Sequence, residues 1–122
     1  MKSSYRKNLG RAGENFAAKY LENLGYKILA RNYNVRYVGE LDIVAQIDDT
    51  IVFVEVKTRS NDHYGTPAEA VTKTKQKKIY NTAEVFQQRK EIFDQPCRFD
   101  VIEVFSNADG FTLNHMIAAF SL

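Results

Sequence analysis

Apolar positions along this chain switch between a helical period and a strand period. Over residues 10–24 they recur at helix spacing: Ala17, Tyr20, Leu21 and Leu24 share one stripe, and Gly25 follows as a C-terminal stop. Residues 26–33 alternate, with Ile28 on one face and Leu29 on the other. Two richer runs follow, Gly39-Glu40-Leu41-Asp42-Ile43-Val44-Ala45 and Val52-Phe53-Val54-Glu55-Val56-Lys57, parted by the polar turn Gln46-Ile47-Asp48-Asp49-Thr50. After a polar loop over 61–65, Thr66-Pro67-Ala68-Glu69 has the form of a capping box with proline at the first helical position. Helix continues, with a break near Thr72, to about residue 90, on a stripe of Ile79, Ala83 and Phe86. Residues 98–105 and 111–117 read as two last strands, joined through Asp109-Gly110. Residues 1–8 are polar and basic and read as a loose arm.

The order is helix, three strands, helix, two strands. Short turns make the first three strands an antiparallel meander, and the second helix is a crossover that lays the fourth strand parallel to the third. The expected fold class is α/β: a mixed sheet with helices packed on it. A length of 122 residues suits one domain over 1–122, and 44% apolar content suits a globular core.

Net charge is only +2, so a nucleic-acid partner would have to be met by local patches rather than a global field. No apolar run approaches a membrane span, and the start of the chain lacks the apolar core of a signal peptide, so no membrane partner is expected. Cys97 is the single cysteine; it admits no internal disulfide, fits a reducing cytoplasm and reads as a small core residue. No cysteine–histidine cluster has zinc-site spacing.

The second and third strands carry acids that a covered strand would exclude. A buried carboxylate without a partner is costly, so such groups are paired or bind metal. If Asp48-Asp49 is a two-residue loop, paired positions sum to 97 and Asp42 falls opposite Glu55, with Lys57 on the same face. Two carboxylates so placed repel unless a cation or a proton lies between them. A loop of odd length would send Asp42 to the other face. Glu14 shares the helical stripe of Ala17 and Leu21 and could reach the sheet face of Asp42 and Glu55. The alternative is an acid in the first helical turn, favoured by the helix dipole by roughly 0.3–1 kcal/mol. Oxygen ligands of this kind suit Mg2+ or Mn2+, and a lysine beside them could orient water or stabilise charge on phosphate. The plain reading of the same residues is a solvated sheet face with a weak Glu55–Lys57 pair.

Asp42 followed by Glu55-Val56-Lys57 on the next strand resembles the signature of the PD-(D/E)xK nuclease superfamily, with Leu41 where that motif has proline. Glu14 on the upstream helix resembles the arrangement in its archaeal Holliday-junction-resolvase branch. More closely, Gly10-Arg11-Ala12-Gly13-Glu14, Gly39 to Ala45, Val54 to Arg59 and Pro67-Ala68-Glu69-Ala70-Val71 resemble the YraN-like family, small bacterial proteins of uncharacterised function. The resemblance covers nearly the whole chain. It implies a restriction-endonuclease-like fold and a divalent-metal-dependent DNA endonuclease, acting on branched or otherwise processed DNA through metal-activated water. It also implies roles: Asp42 and Glu55 as metal ligands, with the Val56 carbonyl as a further one; Glu14 completing the site directly or through water; Lys57 positioning the attacking water.

Substrate contacts are expected from Lys73, Lys75, Lys77 and Lys78, which crowd the start of a helix where the dipole favours anions, so a phosphate backbone would relieve the conflict. Arg59 has the parity of Glu55 and Lys57 and could contact the neighbouring phosphate, and Arg11 lies one turn before Glu14. His63 and Tyr64 fall in the loop after the third strand; His115 reads as structural; Asp100 interrupts an apolar strand and could pair with Arg98. A two-fold homodimer would let two sites address two strands. The rival readings are a nuclease-like fold that binds nucleic acid or protein without cutting, and acid–base chemistry on a sugar bond, against which the absence of tryptophan argues.

Overall fold

The first helix starts well before its apolar stripe does. In the computed structural model, which describes residues 2–60 and 71–121, α1 spans Lys2–Asn23. The basic segment expected as a loose arm is therefore helical from Lys2 onward. The helix ends where glycine allows it: Gly25 takes φ +98°, its N–H bonds to the Glu22 carbonyl at 3.0 Å and the Tyr26 N–H reaches back to Leu21 at 3.0 Å. Leu24 falls between the last helical residue and that glycine and is exposed.

Five strands follow in one sheet, ordered β1 (Lys27–Val35), β2 (Gly39–Ile47), β3 (Thr50–Ser60), β4 (Cys97–Asn107) and β5 (Gly110–Phe120). The first three form the antiparallel meander, β3 pairs parallel with β4, and β5 returns antiparallel. The crossover is α2 (Lys73–Arg89), whose N-cap Thr72 accepts the Lys75 N–H at 3.1 Å. The break expected near Thr72 is thus a helix start. The capping box at 66–69, His63 and Tyr64 lie outside the described residues.

Alternation along the strands builds two cores. Ala17, Ala18 and Leu21 of α1 pack against Ile43, Ala45, Val52, Val54, Val56, Ile102 and Val104. On the opposite face Ile79, Ala83 and Phe86 of α2 pack against Leu41, Val44, Ile51, Phe53, Phe99 and Val101. The result is a three-layer sandwich with the helices on opposite faces of the sheet. Gly13 is needed where α1 crosses β3, because a Cβ there would run into the Thr58 side chain. Cys97, expected in the core, is exposed at the start of β4.

At the α1 C-terminal end, Asp100 organises a polar cluster inside the fold. It is fully buried and accepts from Arg98 at 3.0 and 3.2 Å, from His115 Nε2 at 2.8 Å and from the Ala118 N–H at 2.9 Å. A carboxylate only accepts, so Nε2 carries the proton and Nδ1 of His115 is left to take the Tyr20 hydroxyl at 3.0 Å. Arg98 also donates to the Tyr26 hydroxyl at 2.6 Å. These bonds tie α1, β4 and β5 together, and they account for both Asp100 and His115 as structural groups.

Candidate active site at the fork between two strands

The β2–β3 register follows the sum of 97 from Ile47↔Thr50 to Ile43↔Val54 and stops there. Continued by one step, the ladder would pair Asp42 with Glu55. Instead the Asp42 carboxylate enters the fork and accepts the Val56 N–H at 2.8 Å. An acid side chain thus takes a hydrogen bond that a regular ladder gives to a backbone carbonyl. Splayed strands with a carboxylate between them leave backbone and side-chain oxygens facing one small space.

Glu55 is the partner. It is only 6% exposed, and its Oε2 is buried without a hydrogen-bond partner among the described residues. Lys75 of α2 brings its ammonium to 3.6 Å from that oxygen, at ion-pair rather than hydrogen-bond range. Burial raises the Glu55 pKa first, and a hydrogen bond shared with Asp42 and the charge of Asp42 raise it further. Lys75 and Lys57 oppose these effects, and the result is about 8. Glu55 therefore tends to hold its proton near neutral pH, the alternative to a cation beside adjacent acids.

Glu14 stands apart from that pair but within reach of its charge. Partial burial, then the charge of Asp42, push its pKa above the ordinary value, while Arg31 and a hydrogen bond with Asn32 oppose the rise. The Arg31 guanidinium lies 3.9 Å from its carboxylate. The sequence places Glu14 toward a sheet face bearing both Asp42 and Glu55, and here the structure differs. The α1 helix packs on the face of Val54 and Val56, whereas Glu55 has the parity of Ile51 and Phe53, under α2. Asp42 is the link between the two acids. Among the described residues no group of three acidic, histidine or cysteine side chains forms a ready-made metal cage.

The cations divide in a way that sequence spacing did not reveal. Lys57 is close enough to influence Glu55 and lines a cleft of about 660 Å3 with Glu14 and Val56. Arg59, expected on a phosphate, instead forms an ion pair with Glu103, an almost fully buried acid on β4. The reason is the parallel β3–β4 register, which sets Lys57 beside Glu103 and carries Arg59 past it. Glu103 was legible as an acid in the apolar run Val101-Ile102-Glu103-Val104, the same signal that drew attention to Glu55. Helical spacing scatters the four lysines of α2. Lys75 points to Glu55, Lys73 and Lys77 line a separate groove with Tyr80, and Lys78 abuts Gly39. Arg11 lies in a groove with Glu14 and Asn32 on the other flank of α1.

The raised Glu55 pKa has a testable sign. A group that holds its proton more tightly when folded contributes stability below its unfolded pKa, and that contribution is lost as pH rises through the folded value. In chelator, Glu55→Gln, which keeps a donor toward Asp42, is expected to change the melting temperature little at pH 5 and to raise it above pH 8. Thermal melts of both proteins across pH 5–9 check this, and identical pH profiles would remove the raised Glu55 pKa.

Comparison with known proteins bears on the same residues. A sequence model described as "Uncharacterised protein family UPF0102" matches residues 13–104, a span that includes Glu14, Asp42, Glu55 and Lys57. Among similar proteins, a UPF0102 protein of Caldanaerobacter subterraneus subsp. tengcongensis is 43% identical, across 98% of this chain and 100% of its own length. One from Geobacter metallireducens is 45% identical across 98% of both chains. One from Clostridium botulinum is 49% identical, across 83% of this chain and 82% of its own.

Proposed function

This chain belongs to uncharacterised protein family UPF0102, and from that premise together with the acids at the strand fork we propose that it is a divalent-metal-dependent DNA endonuclease. The observation that carries the reading is the adjacent pair Asp42–Glu55, in which Glu55 is buried and one carboxylate oxygen makes no hydrogen bond among the described residues. Such a pair is an expense for the fold, and a divalent cation removes it. The residues fit Mg2+ or Mn2+ in their chemistry: hard oxygens only, from two carboxylates, the small number that magnesium takes from protein alongside water and phosphate. Asp42 and Glu55 would hold the ion, with the Val56 carbonyl as a further donor. A divalent ion bound there supplies a Lewis acid that polarises a phosphodiester and acidifies water.

The remaining steps belong to the chain itself. Lys57, close to Glu55 and on the wall of the cleft, offers an ammonium donor to the attacking water or to a phosphate oxygen where charge develops. Lys75 balances Glu55 before substrate arrives. Glu14, outside the pair, orders water toward Asp42, and its partner Arg31 keeps it from adding a full uncompensated charge. The Val56 N–H holds the Asp42 carboxylate in place. Arg11 and the α2 lysines provide phosphate contacts at a distance from the reacting bond. Arg59, locked to Glu103, shapes the β3 wall.

Linear, flapped and four-way-junction DNA, each incubated with magnesium, manganese or chelator, tests the proposal. Cleavage in either metal and none in chelator is the expected result, with calorimetry showing manganese binding in the absence of DNA. Tight binding of these DNAs with no cutting in any metal would replace the enzyme with a non-catalytic nucleic-acid-binding module.

A further inference from the structure

The cleft that holds Glu14, Val56 and Lys57 has a wall the nuclease signature does not include. Its outer part is formed by the first turns of α1, with Tyr5, Arg6 and Gly10 facing Lys57, Thr58 and Ser60 at the end of β3. Tyr5 is 63% exposed, an aromatic ring presented to solvent with no core to fill. Among the described residues nothing lies within 4 Å of where a Cβ on Gly10 would sit. At about 660 Å3 the cleft is the size of sites that take a small ligand, enough for one or two nucleotide units. A second groove of about 260 Å3 runs along the other flank of α1 with Arg6, Lys7 and Arg11. Both grooves meet at Glu14.

An exposed aromatic face set among cations suits a single strand. Bases stack on the ring while the backbone runs past the positive side chains, and no base-pair edge is read. From the position of Tyr5 and Arg6 across from Lys57, we infer that the α1–β3 cleft is a single-strand channel. Its ligand is an unpaired nucleic-acid segment, with Tyr5 as the stacking platform. This rests on the nuclease reading only for the bond that is cut; the channel itself stands on its own geometry. It narrows the substrate to nucleic acid with an unpaired end or flap, whose strand passes over Tyr5 beside Lys57 and Glu14.

Fluorescence anisotropy of the full chain in chelator measures this without any cutting. The probes are labelled oligo(dT), oligo(U) of equal length and a blunt hairpin duplex. Tighter binding of either single strand than of the duplex is expected, and the stronger of the two identifies the sugar. Tyr5→Ala should weaken single-strand binding roughly 5- to 150-fold, the range that loss of one base–aromatic stack spans, with Tyr5→Phe close to the parent. A thermal melt confirms that these exposed-site variants fold. Duplex binding as tight as single-strand binding, or equal affinities for Tyr5→Ala and the parent, overturns the channel. The two readings fail separately. A protein that binds single strands but never cuts loses its hydrolysis and keeps the channel, and one that cuts duplex regardless of Tyr5 does the reverse.

Discussion

Asp42→Asn and Lys57→Ala are each expected to lower metal-dependent cleavage by about 10²- to 10⁴-fold, the range over which single acid–base or charge-stabilising groups act. The two substitutions remove different things. An asparagine in place of Asp42 keeps an oxygen that can accept the Val56 N–H, so the fork remains closed, but it withdraws one negative charge from the space beside Glu55. Manganese affinity measured by calorimetry should fall with activity in this variant. Removing the Lys57 ammonium leaves both carboxylates in place, so metal affinity should hold while the rate drops. Single-turnover cleavage of labelled DNA at saturating magnesium gives the rate, and a melt of each variant shows that the fold survives. Rates within about threefold of the parent in both variants, far short of the loss expected of such groups, would leave the acids at the fork without a catalytic role.

The second large effect is on stability. Asp100→Ala is expected to cost about 3–5 kcal/mol, because it strands groups that the buried carboxylate now satisfies. Arg98 and His115 would face an empty site, and the Ala118 N–H would lose its acceptor. For a chain of this length that corresponds to a fall of roughly 10–25 °C in melting temperature. The pH dependence follows from the same contacts. Burial alone would raise the Asp100 pKa, but hydrogen bonds from His115, Arg98 and the Ala118 backbone outweigh it and hold the carboxyl below its ordinary value. A depressed acid contributes stability that is present above its unfolded pKa and is lost as pH falls through the folded value. Acid unfolding below about pH 4 should therefore be shallower in Asp100→Ala than in the parent. Urea titrations at pH 7 and pH 3 measure both effects, and a variant as stable as the parent at pH 7 would reduce the cluster to surface chemistry.

Much of this was open to reading before any coordinates. Strand alternation and the two-residue turn Asp48-Asp49 were enough to place Ile43 opposite Val54 and to aim Asp42 at Glu55, because a period of two leaves a hairpin little freedom once its loop length is known. His115 was legible as structural, while for Asp100 the sequence offered only a pair with Arg98 or a helix cap; the pair forms, and the contacts to His115 and the Ala118 N–H came from the fold. The helical stripe of α1 was visible, but its first turns were not. Residues 2–8 carry no apolar periodicity and are helical all the same. That stretch contains Tyr5 and Arg6, so the wall of the cleft was hidden with it.

What sequence alone determined is the local grammar: element types, strand order, the turn that sets the register, and the clash of two acids that a buried strand cannot carry alone. Tertiary structure decided everything that depends on contacts between distant segments. The parallel β3–β4 pairing gave Arg59 to Glu103, the pitch of α2 gave Lys75 to Glu55, and the packing of α1 on the Val54 face left Glu14 within reach of the Asp42 charge while Glu55 faces α2. Long charged side chains take whichever partner the fold brings within reach, and no period along the chain records that choice.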